Sequence, residues 1–288
     1  MKALIFGASG QDGHYLTELC KKQGLGSVGV SRSGPVKGDV ADLVTVEKII
    51  KETKPAYIFH MAANSTTKYE ALFENHQAIS TGTLNILHSV KQHAPAAKVF
   101  ITASGVQFRN TGNPISESDP FEASSPYSIA RIQSVYAARY YRTLGIKVYV
   151  GYLFHHESPL RNRHHVSQIV AQAVKRIRDG SREKIELGDL SVEKEWTFAG
   201  DMVQGIWTLM QQAEIFEAVI GFGETFSIQQ WVEKCFGVIR KEWRDYVQIK
   251  KDFSPEYKKL ISNPRLIKSL GWKPKVSLTE LAQMMVNY

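Results

Sequence analysis

Cysteine is scarce: Cys20 and Cys235 are the only two in 288 residues. They lie far apart and form no CxxC pair, so the sequence gives no basis for a disulfide scaffold, a cysteine metal site or a redox motif. Two reduced thiols in a cytoplasmic protein are expected. No apolar run approaches the ~18 residues of a membrane span, so no membrane partner is expected. "MKALIFGASG" leads into a strand-like segment and a glycine turn, without the anatomy of a secretory leader. There is no internal repeat, low-complexity tract or obvious linker. A basic run interleaved with aromatics is also missing, although Lys and Arg (36) outnumber Asp and Glu (28) to give a net charge of +8. The excess is scattered, with local density only at 175–184 and around Lys250. That pattern argues against nucleic acid and suits a protein that handles phosphorylated small molecules. The histidine pairs 155–156 and 164–165 have no acidic cluster beside them, and adjacent side chains diverge, so no metal site is expected.

The composition is that of an ordinary globular chain, 43% hydrophobic and 22% charged. "KALIFGA", "GSVGVS", "AYIFHMAA", "KVFITAS" and "KVYVGYLF" are apolar on both faces and read as buried strands. Helical patterns at 12–23, 44–53, 76–93 and 126–143 alternate with them. Such alternation predicts an α/β fold, a Rossmann-type doubly wound parallel sheet. After Phe154 the rhythm breaks. A helix at 166–179, the short "KIELGDL", a helix starting near Asp201 and short C-terminal helices follow. The division expected is a dinucleotide-binding domain at 1–154, with a segment near 199–222 returning to it. A smaller mixed α/β substrate-binding domain takes most of 155–288.

"GASGQDG" places Gly7, Gly10 and Gly13 between the first strand and the first helix. Glycine there permits a tight turn and close approach of backbone to a pyrophosphate, with free N–H groups at the helix start. The second strand ends in Ser31, Arg32 and Ser33, where an NAD site would carry Asp or Glu. Charge and hydrogen bonding there suit a 2′-phosphate, so NADP is the expected cofactor, with NAD possible.

In "SSPYSIAR", Tyr127 and Arg131 share one helical face. A tyrosine acting as a general base must ionise near neutral pH although its reference value is about 10, which requires about 4 kcal/mol of preference for the phenolate. One cation at ~4 Å in an effective dielectric near 20 supplies about that much. Arginine carries the required charge but cannot relay a proton.

These features resemble the extended short-chain dehydrogenase/reductase family and, within it, the GDP-mannose 4,6-dehydratases. "GASGQDG", "GTLNIL", "SSPYSIAR", "LFHHESP", "LGDLSVEKEW" and "LGWKPKVSLTEL" follow that family's order almost end to end. The resemblance implies cofactor contacts from Gly7, Ser9, Gly10, Gln11, Asp12 and Gly13, with Arg32 and Ser33 at the 2′-phosphate and Asp39 and Val40 at the adenine. Met61, Ala62, Ala63, Asn64, Ser65 and Thr102 would line the nicotinamide ribose together with Tyr127 and Arg131, and His156 and Arg161 would approach from the other side. It implies Ser104, Tyr127 and Arg131 as catalytic residues. The substrate-facing set would be Ser65, Ser104, Val106, His155, Glu157, Arg161, Val166, Gly188 and Lys194.

The chain departs from the family where the sugar would lie. Arg131 replaces lysine, His155 replaces asparagine, Lys194 replaces arginine and Ile169 replaces lysine. Val106 stands at the glutamate position when Phe108 is aligned with the family's aromatic; a shift of one would put Gln107 there. The expectation is a nucleotide-sugar enzyme, with GDP as the nucleotide, that transfers hydride at sugar carbon 4 as a ketoreductase or dehydrogenase. A 4,6-dehydratase with a relocated base and a non-catalytic dinucleotide-binding protein are the alternatives. The helices at 76–93 and 126–143 are expected to pair subunits in a homodimer or homotetramer.

Overall fold

The computed structural model describes residues 1–288. In chain order the first part comprises β1 (Lys2–Phe6), α1 (Gln11–Lys22), β2 (Gly26–Ser31), β3 (Val36–Lys37), α2 (Leu43–Thr53), β4 (Tyr57–His60), α3 (Leu72–Asn75), α4 (Gly82–His93), β5 (Lys98–Ser104), α5 (Pro126–Thr143) and β6 (Lys147–Leu153). Beyond β6 come β7 (His156–Glu157), α6 (Val166–Arg178), β8 (Ile185–Leu187), β9 (Glu193–Lys194), β10 (Thr197–Phe198), α7 (Ala199–Met210), β11 (Glu217–Ile220), β12 (Phe226–Ser227), α8 (Ile228–Ile239), β13 (Val247–Ile249), β14 (Lys259–Leu260), α9 (Arg265–Ser269) and α10 (Leu278–Asn287).

Seven strands form one sheet in the order β11-β6-β5-β4-β1-β2-β3. Every pairing is parallel, from Phe6 opposite Val30 and His60 to Ile220 opposite Leu153. The order turns back on itself at β1, and a crevice opens at the carboxyl ends of the strands beside such a switch point. The fold is thus the doubly wound α/β arrangement expected from the strand–helix alternation.

Both sheet faces are covered, which is why the strands read as continuous apolar runs. On one face Val46, Ile50, Ile86, Leu87, Val90, Val135 and Ala138 of α2, α4 and α5 pack on the strands. On the other, Leu16 and Leu19 of α1 meet Met202, Ile206 and Leu209 of α7. Residues 199–220 therefore rejoin the sheet after the chain has left it. Helices α6, α8 and α10 enclose a separate core of Val174, Ile177, Trp231, Phe236, Leu281 and Met285. At its centre the indoles of Trp196 and Trp231 stack at 4.7 Å with 12° between planes. No helix is long and apolar enough to cross a membrane.

The start of α5 follows from local chemistry. Ser125 accepts from the Ser128 N–H at 3.2 Å, the Ser128 hydroxyl answers at the Ser125 N–H, and Pro126 fills the first turn. The pattern 76–93, by contrast, is not one α-helix. Residues His76–Thr81 form a π-helical turn before α4 begins. The Ile79 carbonyl is taken by the hydroxyls of Thr83 (2.7 Å) and Ser134 (3.2 Å), which compete with the regular helix ladder.

Candidate active site

The carboxyl ends of β1, β4, β5 and β6 form the floor of a cleft of about 650 Å³, and α6, Lys194 and residues 256–260 of the second lobe close it. At one end lies the glycine turn. Gly7 has φ +87, and a β-carbon on it would come within 2.6 Å of the Ala62 nitrogen, so only glycine fits. A β-carbon on Gly13 would lie 2.6 Å from Ala8 Cα, which seats α1 tightly on the turn. Gly10 has no such neighbour nearer than 3.4 Å and faces the cleft as the uncapped N-terminus of α1. Bare backbone and unclaimed helix-start N–H groups in a concave wall fit a dinucleotide pyrophosphate.

Gln11 and Asp12 line this wall, but their side chains are already engaged. Gln11 Nε2 donates to the His156 carbonyl (3.2 Å), and Ser158 Oγ donates to Gln11 Oε1 (2.8 Å). Asp12 pairs with His156 Nε2 at 3.0 Å. Burial works to raise the Asp12 carboxyl, but the imidazolium outweighs it and holds the group below its usual range; His156 is raised in turn. Both residues thus fasten the 156–158 segment to the turn.

Ser9, Met61, Ala63, Ser65 and Thr102 also line the cleft, whereas Arg32, Ser33, Asp39, Val40, Ala62 and Asn64 do not. Val40 is buried with its carbonyl accepting from Asn85 Nδ2 (3.0 Å), and Asp39 caps the Ala41 N–H (2.9 Å). Arg32 lies exposed at the end of β2, 3.5 Å from Glu74.

At the other end, Ser104 terminates β5 and starts a single 3₁₀ turn. The Ser104 N–H donates to Gln107 Oε1 (3.0 Å), and Ser104 Oγ accepts from the Val106 N–H (3.4 Å), leaving the hydroxyl proton free. Gln107 is consumed by this cap and fully buried, while Val106 lines the cleft. Of the two residues considered for the glutamate position, Val106 lines the cleft and Gln107 does not.

Tyr127 and Arg131 reach the cleft from successive turns of α5. The guanidinium carbon stands 5.0 Å from the Tyr127 ring centroid, and Arg131 Nη1 donates to the Thr102 carbonyl at 2.5 Å. Arg131 is only 2% exposed, and its Nε has no partner. The cation is therefore fixed between strand and phenol. Its field also reaches His60, whose imidazole burial and then Arg131 push down to about 3.

The second lobe contributes a buried charged group. Glu157 is fully buried and does not line the cleft, contrary to the expectation that it faces substrate. It accepts from Ser167 Oγ (2.5 Å) and pairs with Lys194 Nζ and Arg161 Nε, each at 3.4 Å. Burial alone would raise this carboxyl; Lys194 and Arg161 instead hold it at about 2. Two cations against one anion leave a positive surplus, and Arg161 and Lys194 present it to the cleft. Val166 lines the cleft too. Gly188 does not: the Phe253 ring covers it, 2.5 Å from where a β-carbon would stand. His155 bonds through Nε2 to Tyr257 Oη at 2.9 Å. Burial, then Lys194, keep this imidazole neutral, while burial and the nearby Glu256 and Glu157 raise the Tyr257 phenol.

Sequence reasoning missed Thr67, Lys68, His165, Glu256, Tyr257 and Leu260, all of which line the cleft. Residues 256–260 arrive because β14 pairs with β9, setting Leu260 opposite Lys194. No local pattern in "DFSPEYKKL" announces a two-residue strand. No group of three or more His, Cys, Asp or Glu side chains is placed to hold a metal ion.

A sequence profile described as GDP-mannose 4,6 dehydratase matches residues 34–285. GDP-mannose 4,6 dehydratase 1 of Arabidopsis thaliana is 30% identical over 99% of this chain and 88% of its own length. The chain belongs to the GDP-mannose 4,6-dehydratase family. The human GDP-mannose 4,6 dehydratase is 28% identical over 99% of this chain and 90% of its own. Among solved structures, RMD from Pseudomonas aeruginosa complexed with NADPH superposes with a TM-score of 0.87 at 18% identity, over 99% of this chain and 96% of that one. dTDP-glucose 4,6-dehydratase from Bacillus anthracis in complex with NAD gives 0.86 at 19% identity, over 100% and 96%. At that identity the likeness is one of fold.

Proposed function

We propose that this protein exchanges hydride between NADP(H) and carbon 4 of a nucleotide-linked sugar, with GDP as the nucleotide, acting as a 4-ketoreductase or 4-dehydrogenase. The observation that carries this reading is that Tyr127, Ser104, Arg131 and Val106 all line one cleft, Val106 being the residue that the family resemblance aligns with the glutamate. Gly7 and Gly10 would admit the pyrophosphate, Arg32 would meet the 2′-phosphate, and Arg161 with Lys194 would face the diphosphate of the substrate. A nicotinamide bound there supplies or accepts the hydride. In the oxidative direction the Tyr127 phenolate takes the proton from the 4-hydroxyl as hydride leaves carbon 4. In the reductive direction the phenol returns it. Ser104 donates its free hydroxyl proton to the reacting oxygen, and Arg131 stabilises the phenolate by charge.

Dehydration needs more. A base must remove the carbon 5 proton and an acid must assist the carbon 6 hydroxyl, help worth typically ~10² to 10⁴-fold. Valine offers neither. Incubation with GDP-mannose and NADP⁺, followed by mass spectrometry, is expected to give oxidation without loss of water, and Val106→Glu is expected to introduce that loss. Rapid loss of one water from the unaltered protein would overturn the reading.

That outcome would favour a second reading, a 4,6-dehydratase whose base has moved, which family membership and the presence of Glu256 and Tyr257 in the cleft support. Glu256→Gln would then suppress water loss while leaving hydride exchange in place.

We further propose a dimer through α4 and α5. Leu84, Ile129, Tyr136 and Tyr140 are exposed on these two helices, an apolar face that pairing would cover. Sedimentation is expected to give a dimer or larger at micromolar concentration; a clean monomer would reject it.

A further inference from the structure

Arg32 is not alone at the end of β2. The Glu74 carboxylate, delivered by α3, holds it with Oε1 at 3.5 Å from Arg32 Nη2. The other oxygen of the same carboxylate accepts from Asn64 Nδ2 at 2.8 Å. Asn64 follows β4, the strand beside β1, so one anion bridges the loops that leave β2 and β4 on either side of the glycine turn. Both charged side chains are solvent-accessible, at 75% for Arg32 and 46% for Glu74.

In a doubly wound fold the adenosine ribose lies against the end of the second strand. An acidic residue there accepts from a 2′-hydroxyl, and an arginine accommodates a 2′-phosphate. This chain has the arginine on the strand end and an acid brought to it from elsewhere. We propose that Glu74 is a specificity-determining residue that offsets Arg32 and narrows the preference for a 2′-phosphorylated cofactor over NAD(H). A 2′-phosphate brings about −1.5 to −2 charges next to Arg32. It must compete with Glu74 for that guanidinium and accept a like charge nearby. A free 2′-hydroxyl meets neither penalty. The inference rests on the reading of the glycine turn as a dinucleotide site.

The test is equilibrium binding of NADPH and NADH, followed by the fluorescence of the reduced nicotinamide, to the intact protein and to Glu74→Gln. Glutamine keeps an acceptor for Asn64 and removes only the charge. Glu74→Gln is expected to tighten NADPH about fivefold, the scale of a surface charge effect, and to change NADH by less than about twofold. The gain should shrink at ~0.5 M salt, where exposed charges are screened. Unchanged or weaker NADPH binding, or equal tightening of both cofactors, would overturn the role of Glu74. Failure of the unaltered protein to bind either dinucleotide would overturn the cofactor reading itself, and the inference with it. An unchanged thermal midpoint in Glu74→Gln separates a charge effect from a folding defect.

Discussion

The two ends of the cleft differ in what makes them. At the glycine turn the surface is backbone from the single stretch Gly7–Gly13. At the far end Ser104, Tyr127, His155, Lys194 and Tyr257 come from five separated segments. A backbone surface depends on φ, ψ and the absence of a β-carbon, so one altered residue destroys it. A side-chain surface can change residue by residue while the frame stands. Of the residues read from sequence as departing from the family, Arg131, Val106, His155 and Lys194 fall at the side-chain end, whereas Ile169 lies outside the cleft.

The largest effect expected at that end comes from Tyr127→Phe. Hydride exchange should fall by ~10² to 10⁴-fold, with dinucleotide binding retained because the glycine turn is untouched. Retained turnover would remove Tyr127 from the mechanism. Next is Glu157→Gln, which leaves Lys194 and Arg161 without their anion. Breaking a buried pair in this way should cost about 3 kcal/mol in denaturant unfolding, and a nucleoside diphosphate should restore part of it. Loss of less than about 1 kcal/mol would mean that the cluster is more hydrated than its burial indicates.

A smaller effect separates the ends by pH. The His60 imidazole has a folded value of about 3 and that of His165 about 4, against an ordinary 6.5; for both, burial is the main cause. As pH falls below 6.5 the unfolded chain takes up these protons first, so stability declines from there toward 4. Glu157, at about 2 against 4.5, adds a decline of the same sign below 4.5. Urea midpoints between pH 7 and 4 should fall, and His60→Gln should flatten the upper part of the curve. The smallest effect is Arg131→Lys. Lysine keeps the positive charge that the proposed mechanism asks of Arg131, so activity should stay within about tenfold of the unaltered protein, or rise; a collapse would show that the bond to the Thr102 carbonyl matters more than the charge.

The same contrast explains what could be read from the sequence. The glycine turn, the buried strands and α5 with its Ser125–Pro126 start are local, and they could be placed before any tertiary contact was known. The π-turn at His76–Thr81 could not, because Ser134, more than fifty residues away, helps to claim the Ile79 carbonyl. Glu256 and Tyr257 were hidden for a similar reason: only the β14–β9 pairing carries them to the cleft. Glu157 was misread because family position says which residue is present but not whether it faces ligand or stands behind the groups that do.

The indole stack of the second lobe makes the side-chain end observable. Trp196 lies two residues from Lys194, whose ammonium sits 4.4 Å from its ring centroid, and its Nε1 donates to the Phe226 carbonyl at 2.9 Å. Two parallel indoles at van der Waals spacing couple as chromophores, and a cation over one of them shifts its transition. An anion arriving at Lys194 would therefore change near-ultraviolet circular dichroism and tryptophan emission, giving the protein an intrinsic optical signal for an anion bound at that end of the cleft.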